Sequence, residues 1–364
     1  MKLSAQRENL LKPLQAVAGV VERRQTMPIL ANFLLVADDN RLSVTATDLE
    51  VELVASVDLN VEEGGEITVP GRKMLDICKA LPEGAEVRLS TKGDRAIVQS
   101  GRSRFTLATL AANEFPSVDD IAAQQTVTLE QAEFKRLLDK THFAMAHQDV
   151  RYYLNGLLLD IGAKTLRAVA TDGHRLAYCE TGIDADTTAQ QVIMPRKGVL
   201  ELQRLLGNEG QVALTIGTNH VRAELGGIRY TSKLIDGRFP EYDRVIPAET
   251  PNRMLAVCDD LKRSLQRAAI LSNEKYRGIR LGLAENLLRI QAHNPEQEEA
   301  EEETEVEYGG DALEIGFNVN YLLDALAAID SEKVEIGLND ANSSCLVHEP
   351  GIENCRYVVM PMRL

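Results

Sequence analysis

The 364-residue sequence predicts an α+β chain built from three successive copies of one unit, each with two helices on antiparallel sheet. Two observations carry this. A strand–turn–strand segment recurs three times with its flanks in the same order, and each copy holds two apolar patterns at helical spacing. The recurring segments are 30–48, 154–172 and 277–294, and each closes on a polar pair: Thr47-Asp48, Thr171-Asp172 and His293-Asn294. The pairs lie 124 and 122 residues apart, too long a period for a solenoid and right for a duplicated domain. The flanks agree. Val69-Pro70-Gly71-Arg72-Lys73 matches Met194-Pro195-Arg196-Lys197-Gly198 and, more loosely, Ile315-Gly316-Phe317-Asn318, while Glu114-Phe115-Pro116 matches Arg238-Phe239-Pro240. The expected domains are 1–124, 125–249 and 250–364.

In chain order, a helix opens each unit, with apolar residues one turn apart: Leu10, Leu14, Val17 and Val21; then Phe134, Leu137, Leu138, Thr141 and Met145; then Leu261, Leu265 and Ala268. Pro13 should weaken or kink the first of them. The hairpin strands follow, and then a second helix: Met74, Ile77, Cys78 and Leu81; Leu202, Leu205 and Leu206; Leu322, Leu323 and Leu326. Further strands, such as Ala96–Gln99 and His220–Leu225, complete the sheets.

Composition narrows the function. Charged residues at 26% and apolar residues at 44% are ordinary for a globular chain, and no run approaches the ~18 apolar residues of a membrane span. The charged N-terminus argues against a signal peptide, and a cytoplasmic location is expected. Cys78, Cys179, Cys258, Cys345 and Cys355 form an odd set without a CxxC, which indicates neither a disulfide framework nor a zinc site. A net charge of −15 argues against a surface that grips nucleic acid everywhere. The charge is uneven, however. The helical segments 4–24, 72–80, 130–147, 196–206, 259–271 and 317–328 hold 16 Lys or Arg against 10 Asp or Glu, whereas 296–307 contains eight Glu in twelve residues. Helices side by side at ~10 Å leave a hole of ~9 Å for six and ~28 Å for twelve. One chain is too small to surround a duplex of about 20 Å; two are enough.

Thr171-Asp172-Gly173-His174-Arg175 has two readings. Asp172 beside His174 can form an acid–base pair, but Asp-Gly is also a favoured hairpin turn. No nucleophile motif, phosphate loop, HExxH or histidine ligand spacing accompanies it, so the turn is favoured. An enzyme using these two residues and a scaffold that binds proteins but no DNA remain the alternatives. The apolar end Tyr357–Leu364, with Met360 and Met362, suits a core strand or an adaptable binding surface.

The stretches Pro28–Leu30, Thr47–Glu50, Met145–Asn155, Thr171–Leu176, Pro195–Gly198, Phe239-Pro240, Asn273–Gly278 and Val358–Leu364 together resemble the bacterial sliding clamps, the β subunits of DNA polymerase III, over essentially the full length. The resemblance implies three clamp domains and a head-to-tail ring dimer, its central hole lined by helices. Such a ring encircles duplex DNA without reading sequence and tethers polymerases, with no catalysis, cofactor or metal. It implies as partners the polymerase III α subunit, the clamp loader δ subunit, translesion polymerases and mismatch-repair proteins, which dock a Gln-Leu-x-Leu-Phe-like peptide between the second and third domains. The peptide site it implies comprises Thr171, Gly173, His174, Arg175, Leu176, Pro240, Arg244, Val245, Asn318, Tyr321, Ser344, Val358, Met360, Pro361, Met362 and Arg363, with Arg175, Arg244 and Arg363 at the rim. Asn342 stands where relatives can carry an apolar residue, and Tyr276 where Phe is common. For DNA the resemblance points to Arg24, Gln148, Tyr152, Tyr153 and Arg196, and for the dimer contact to Phe105, Ile270 and Leu271.

Overall fold

The computed structural model describes residues 1–21, 27–118, 121–184 and 187–363. It contains two compact units: Met1–Phe134 with Lys197–Leu234, and Lys135–Arg196 with Ile235–Leu364. The helices are α1 (Arg7–Val17), α2 (Gly71–Ala80), α3 (Gln131–Thr141), α4 (Arg196–Leu205), α5 (Cys258–Ala269) and α6 (Val319–Ala327). The first is shorter than expected at both ends: Lys2–Gln6 is a strand, paired with Glu86–Lys92, and the helix stops at Val17 with a turn over Ala18–Val20. It runs through Pro13, whose missing N–H would have bonded the carbonyl of Asn9, a residue exposed to water. The third ends at Thr141 rather than near residue 147. Its Oγ1 bonds back to the Leu137 carbonyl, and a 3₁₀ turn follows over His142–Ala144.

Each unit holds one eight-stranded antiparallel sheet, and the two sheets have the same strand order. In the first unit it runs Gly65–Pro70, Asn32–Asp38, Arg41–Thr47, Val51–Asp58, Ile228–Lys233, His220–Leu225, Gln211–Gly217, Ala123–Glu130. In the second it runs Gln190–Pro195, Gly156–Ile161, Thr165–Thr171, Arg175–Gly182, Cys355–Val359, Cys345–His348, Lys333–Leu338, Asn252–Val257. Each sheet takes four strands from one repeat and four from the next. The pairing that joins them is a seam in mid-sheet. At the first seam Glu52 opposes Thr231; at the equivalent place in the second, Leu176 opposes Val358. A five-stranded sheet completes the first unit, with Ser103–Ala108 at one edge, and a four-stranded sheet completes the second, with Glu299–Glu305 at one edge.

The acidic run is therefore largely ordered strand. Arg267 bonds Glu302 at 2.6 Å and Arg289 bonds Glu303 at 2.8 Å, relieving part of its self-repulsion. One expectation is corrected. Cys179 and Cys355 are directly opposed across the second seam, with Cα atoms 4.1 Å apart, and a disulfide joins them. They lie 176 residues apart in sequence, so only the strand pairing brings them together. Cys78, Cys258 and Cys345 are free and buried.

Candidate functional site

The polar pair Thr171-Asp172 ends one hairpin strand, and its side chains build the turn that follows. Thr171 Oγ1 donates to the Arg175 carbonyl at 2.6 Å and accepts the Gly173 N–H at 3.1 Å. Asp172 Oδ1 accepts the N–H groups of His174 and Arg175 at 2.9 and 3.1 Å. Gly173 sits at φ +88°, where a Cβ would be strained. Asp172 is thus occupied by the turn, with its second oxygen on Arg175 Nε at 3.0 Å, while the His174 ring lies against Tyr321, centroids 6.3 Å apart. These contacts support the turn and leave no acid–base pair between Asp172 and the imidazole. Thr47–Val51 repeats the same four bonds, at 2.9, 3.1, 2.9 and 2.7 Å, with Leu49 at φ +78° in the glycine's place.

Below the turn, Leu176 and Val358 are fully buried in one cluster with Leu158, Val169, Tyr178, Ile193, Phe239 and Tyr242. Val245 packs partly exposed against this cluster, and Pro240 is exposed beside it. The tail beyond strand Cys355–Val359 is tied at two points. Met360 N–H donates to the His174 carbonyl at 2.9 Å, and Met362 N–H to the Gly316 carbonyl at 2.9 Å. Met360 remains 36% exposed. Asn318 caps α6, its side chain accepting from Asn320 N–H and donating to the Tyr276 carbonyl at 3.2 Å. Tyr321 and Ser344 are half-buried.

Two placements differ from expectation. Arg175 is not a free rim cation. Its guanidinium bonds Asp324 at 2.5 Å and the Phe143 carbonyl at 2.9 Å, and its Cζ lies 4.6 Å from the Tyr321 ring centre. Met362 and Arg363 line a cleft of about 460 Å³ with Tyr276, His293 and Pro295, and none of Leu176, Pro240, Val245 or Val358 lines it. Arg244 is exposed and pairs with Glu241 at 2.8 Å. Sequence reasoning missed Asp324 and Phe143; Asp324 stands one helical turn beyond Tyr321, which was a legible cue.

Of the residues expected to face DNA, Arg24 lies outside the described residues. Gln148 is exposed at φ +57° in a loop that Asn155 braces, accepting from Asp149 N–H at 2.8 Å and donating to its carbonyl at 2.9 Å. Arg151 bonds the Asp149 carboxylate through its side chain and its N–H, holding the pKa of that group down at about 2. Val150, missed from sequence, is 95% exposed in this loop. Tyr152 is exposed; Tyr153 packs edge-on to it at 5.9 Å and against the buried cluster. Arg196 donates to the Met145 carbonyl at 3.4 Å. Among the dimer candidates, Phe105 is half-buried on the edge strand Ser103–Ala108, Ile270 is 75% exposed just past α5, and Leu271 is half-buried. Among the described residues no group of His, Cys, Asp and Glu could hold a metal, and no helix is long and apolar enough to cross a membrane.

Comparison with known proteins bears directly on this arrangement. Residues 1–119, 128–241 and 243–363 match the N-terminal, central and C-terminal domains of the DNA polymerase III beta subunit. The chain is 55% identical over its whole length to all of a beta sliding clamp from Pseudomonas aeruginosa, and 52% identical to all of one from Escherichia coli. It superimposes on a sliding clamp from Pseudomonas aeruginosa bound to griselimycin with a TM-score of 0.98 at 55% identity, each chain fully covered. Against the polymerase III beta subunit of Caulobacter crescentus the values are 0.95 and 40%, again with both chains fully covered. The chain belongs to the DNA polymerase III beta subunit family, the bacterial sliding clamps, non-catalytic processivity factors of DNA replication.

Proposed function

We propose that two copies close head to tail into a ring around duplex DNA, with domains near 1–124, 125–249 and 250–364, and that the ring tethers its partners through the surface at Thr171–Leu176 and Met360–Arg363. The observation that carries the peptide reading is the tail itself. Backbone bonds tie Met360 to His174, two residues from the buried pair Leu176 and Val358 on each strand, and an exposed, unbranched, adaptable side chain there suits an apolar binding surface. An extended Gln-Leu-x-Leu-Phe-like peptide suits such a surface, with Pro240, Val245 and Tyr321 beside it and Arg244 and Arg363 as the accessible cations. The partners are the polymerase III α subunit, the clamp loader δ subunit, translesion polymerases, mismatch-repair proteins and others that carry this peptide, in a cytoplasmic setting.

Ring closure is supported by two sheet edges of opposite character. Ser103–Ala108 carries Arg104 beside Phe105, and Glu299–Glu305 holds five Glu in seven residues, so edge-to-edge pairing would satisfy both backbones and set Arg104 against an acidic strand. Ile270 and Leu271 would add apolar contact. On the DNA side, Arg24, Gln148, Tyr152, Tyr153 and Arg196 would touch phosphates weakly and without reading bases, because linkage in a ring needs no tight grip. The test is deletion of Met360–Leu364. Calorimetric titration with the peptide should lose all measurable binding while sedimentation still reports a dimer; undiminished affinity would place the partners elsewhere.

A further inference from the structure

A row of charged side chains crosses three strands of the second unit's large sheet. Asp160 opposes Arg167, and Arg167 opposes Glu180. Arg167 Nε donates to Glu180 at 3.2 Å, and its Nη1 lies 3.6 Å from Asp160 Oδ2. Two residues along each strand, on the same face, runs the apolar row Leu158, Val169 and Tyr178, part of the cluster that holds Leu176 and Val358. The charged row thus borders the core beneath the proposed peptide site. Two tyrosines of that core reach it: Tyr242 donates to Asp160 at 2.5 Å, and Tyr178 donates to Glu180 at 2.7 Å.

The fold does not require these charges. The same register in the first unit places Val36 opposite Ser43 and Ser43 opposite Ser56, a neutral row in which the two serine hydroxyls are 2.9 Å apart. The residue equivalent to Tyr242, counted from the shared Phe-Pro pair, is Val118, which offers only its backbone N–H, to Glu52 at 3.0 Å. The same eight strands therefore assemble over a neutral row in one unit and a charged row in the other. What the charges add in the second unit is an anchor for the turn Tyr242–Arg244, which sits between Pro240 and Val245 and whose Tyr242 carbonyl accepts the Val245 N–H at 2.9 Å.

We propose that the Asp160–Arg167–Glu180 row, through the Tyr242 hydroxyl, positions the Pro240–Val245 wall of the peptide site, making Tyr242 a positioning residue for partner affinity. The inference rests on the peptide reading above. A wall held in place before binding spares the peptide the cost of ordering it, and affinity falls with the fraction of molecules whose wall is in place. Burial, together with the bond to Asp160, also pushes the Tyr242 pKa up, so the hydroxyl keeps its donor proton at neutral pH.

The test is Tyr242→Phe, which removes one hydroxyl and keeps the ring. Fluorescence anisotropy with labelled Gln-Leu-Asp-Leu-Phe should show about tenfold weaker binding, and hydrogen exchange should quicken at Val245 and its neighbours and slow again when peptide is added in excess. Asp160→Asn, which keeps an acceptor for the hydroxyl but loses the charge and the pair with Arg167, should fall between wild type and Tyr242→Phe. Unchanged affinity in Tyr242→Phe overturns the inference, as does an affinity loss matched by a general fall in thermal stability and exchange protection across the unit. A wild-type chain that binds no peptide overturns instead the reading of the site itself.

Discussion

The two large sheets share strand order, seam register and the four hydrogen bonds of the Thr-Asp turn, yet differ at the positions that decide chemistry. At the second seam the paired residues are Leu176 and Val358; at the first they are Glu52 and Thr231. Both pairs are buried, so the backbone tolerates either solution. The lesson is that duplication preserved the hydrogen-bonded frame, while each side-chain pair was free to drift toward a binding floor or toward a local polar contact. Family membership does not by itself reveal which seam does which; the floor residues do.

Swapping the floors should break this comparison, and the largest effect is expected in the second unit. Leu176→Glu places a charge in an apolar cluster without a partner, which should cost about 3–5 kcal/mol in a denaturant titration and abolish peptide binding. The reverse exchange, Glu52→Leu, should cost less, below about 2 kcal/mol. It strands the Val118 N–H but also removes a carboxylate that burial penalises. A loss from Glu52→Leu equal to that from Leu176→Glu would mean that the polar floor is as indispensable as the apolar one.

Glu52 also sharpens the comparison through pH. Burial raises its pKa above the ordinary value, against the Val118 N–H and the charges of Arg229 and Arg222, which lower it. The folded state therefore binds this proton more tightly than the unfolded chain does. Its contribution is most favourable at acid pH and is lost as pH rises from the ordinary glutamate range through the raised folded value. Glu52→Gln keeps an acceptor for Val118 and removes the titration. Thermal unfolding should show the variant gaining on wild type as pH rises from the ordinary glutamate range of about 4.3, and a constant difference would remove Glu52 from the account. The smallest effect is expected at the turn. Leu49→Gly puts the second unit's residue into the first unit's positive-φ position, relieving strain but freeing the unfolded chain, for a net change within about 1 kcal/mol.

The repeat was legible in sequence because hairpins leave a local signature: the segments ending at Thr47-Asp48, Thr171-Asp172 and His293-Asn294 are all strand pairs in the structure. The turn reading of Asp172 rested on Asp-Gly and on the lack of a catalytic motif beside it, although the equivalent turn forms at Asp48-Leu49 without a glycine. Other features depended on distant partners. Arg175 reads as a rim cation until Asp324, 149 residues away, is seen to bind it, and Cys179 carries no mark of Cys355. Ser4–Gln6, the end of the strand Lys2–Gln6, was read as helix because five residues are too few to show their alternation beside a strong helical pattern.

The second seam also has a consequence in time. Strand Arg175–Gly182 emerges during synthesis well before the strand that covers its edge, since Cys179 and Cys355 are 176 residues apart. At about 5–20 residues per second the wait is roughly 9–35 s. Throughout it, a strand built to lie in mid-sheet presents open N–H and C=O groups and buried-type side chains to its surroundings. Strand Val51–Asp58 waits comparably long for Ile228–Lys233. The vulnerable period of this architecture is its biosynthesis, when the open edges of two unfinished chains on one message can pair with each other.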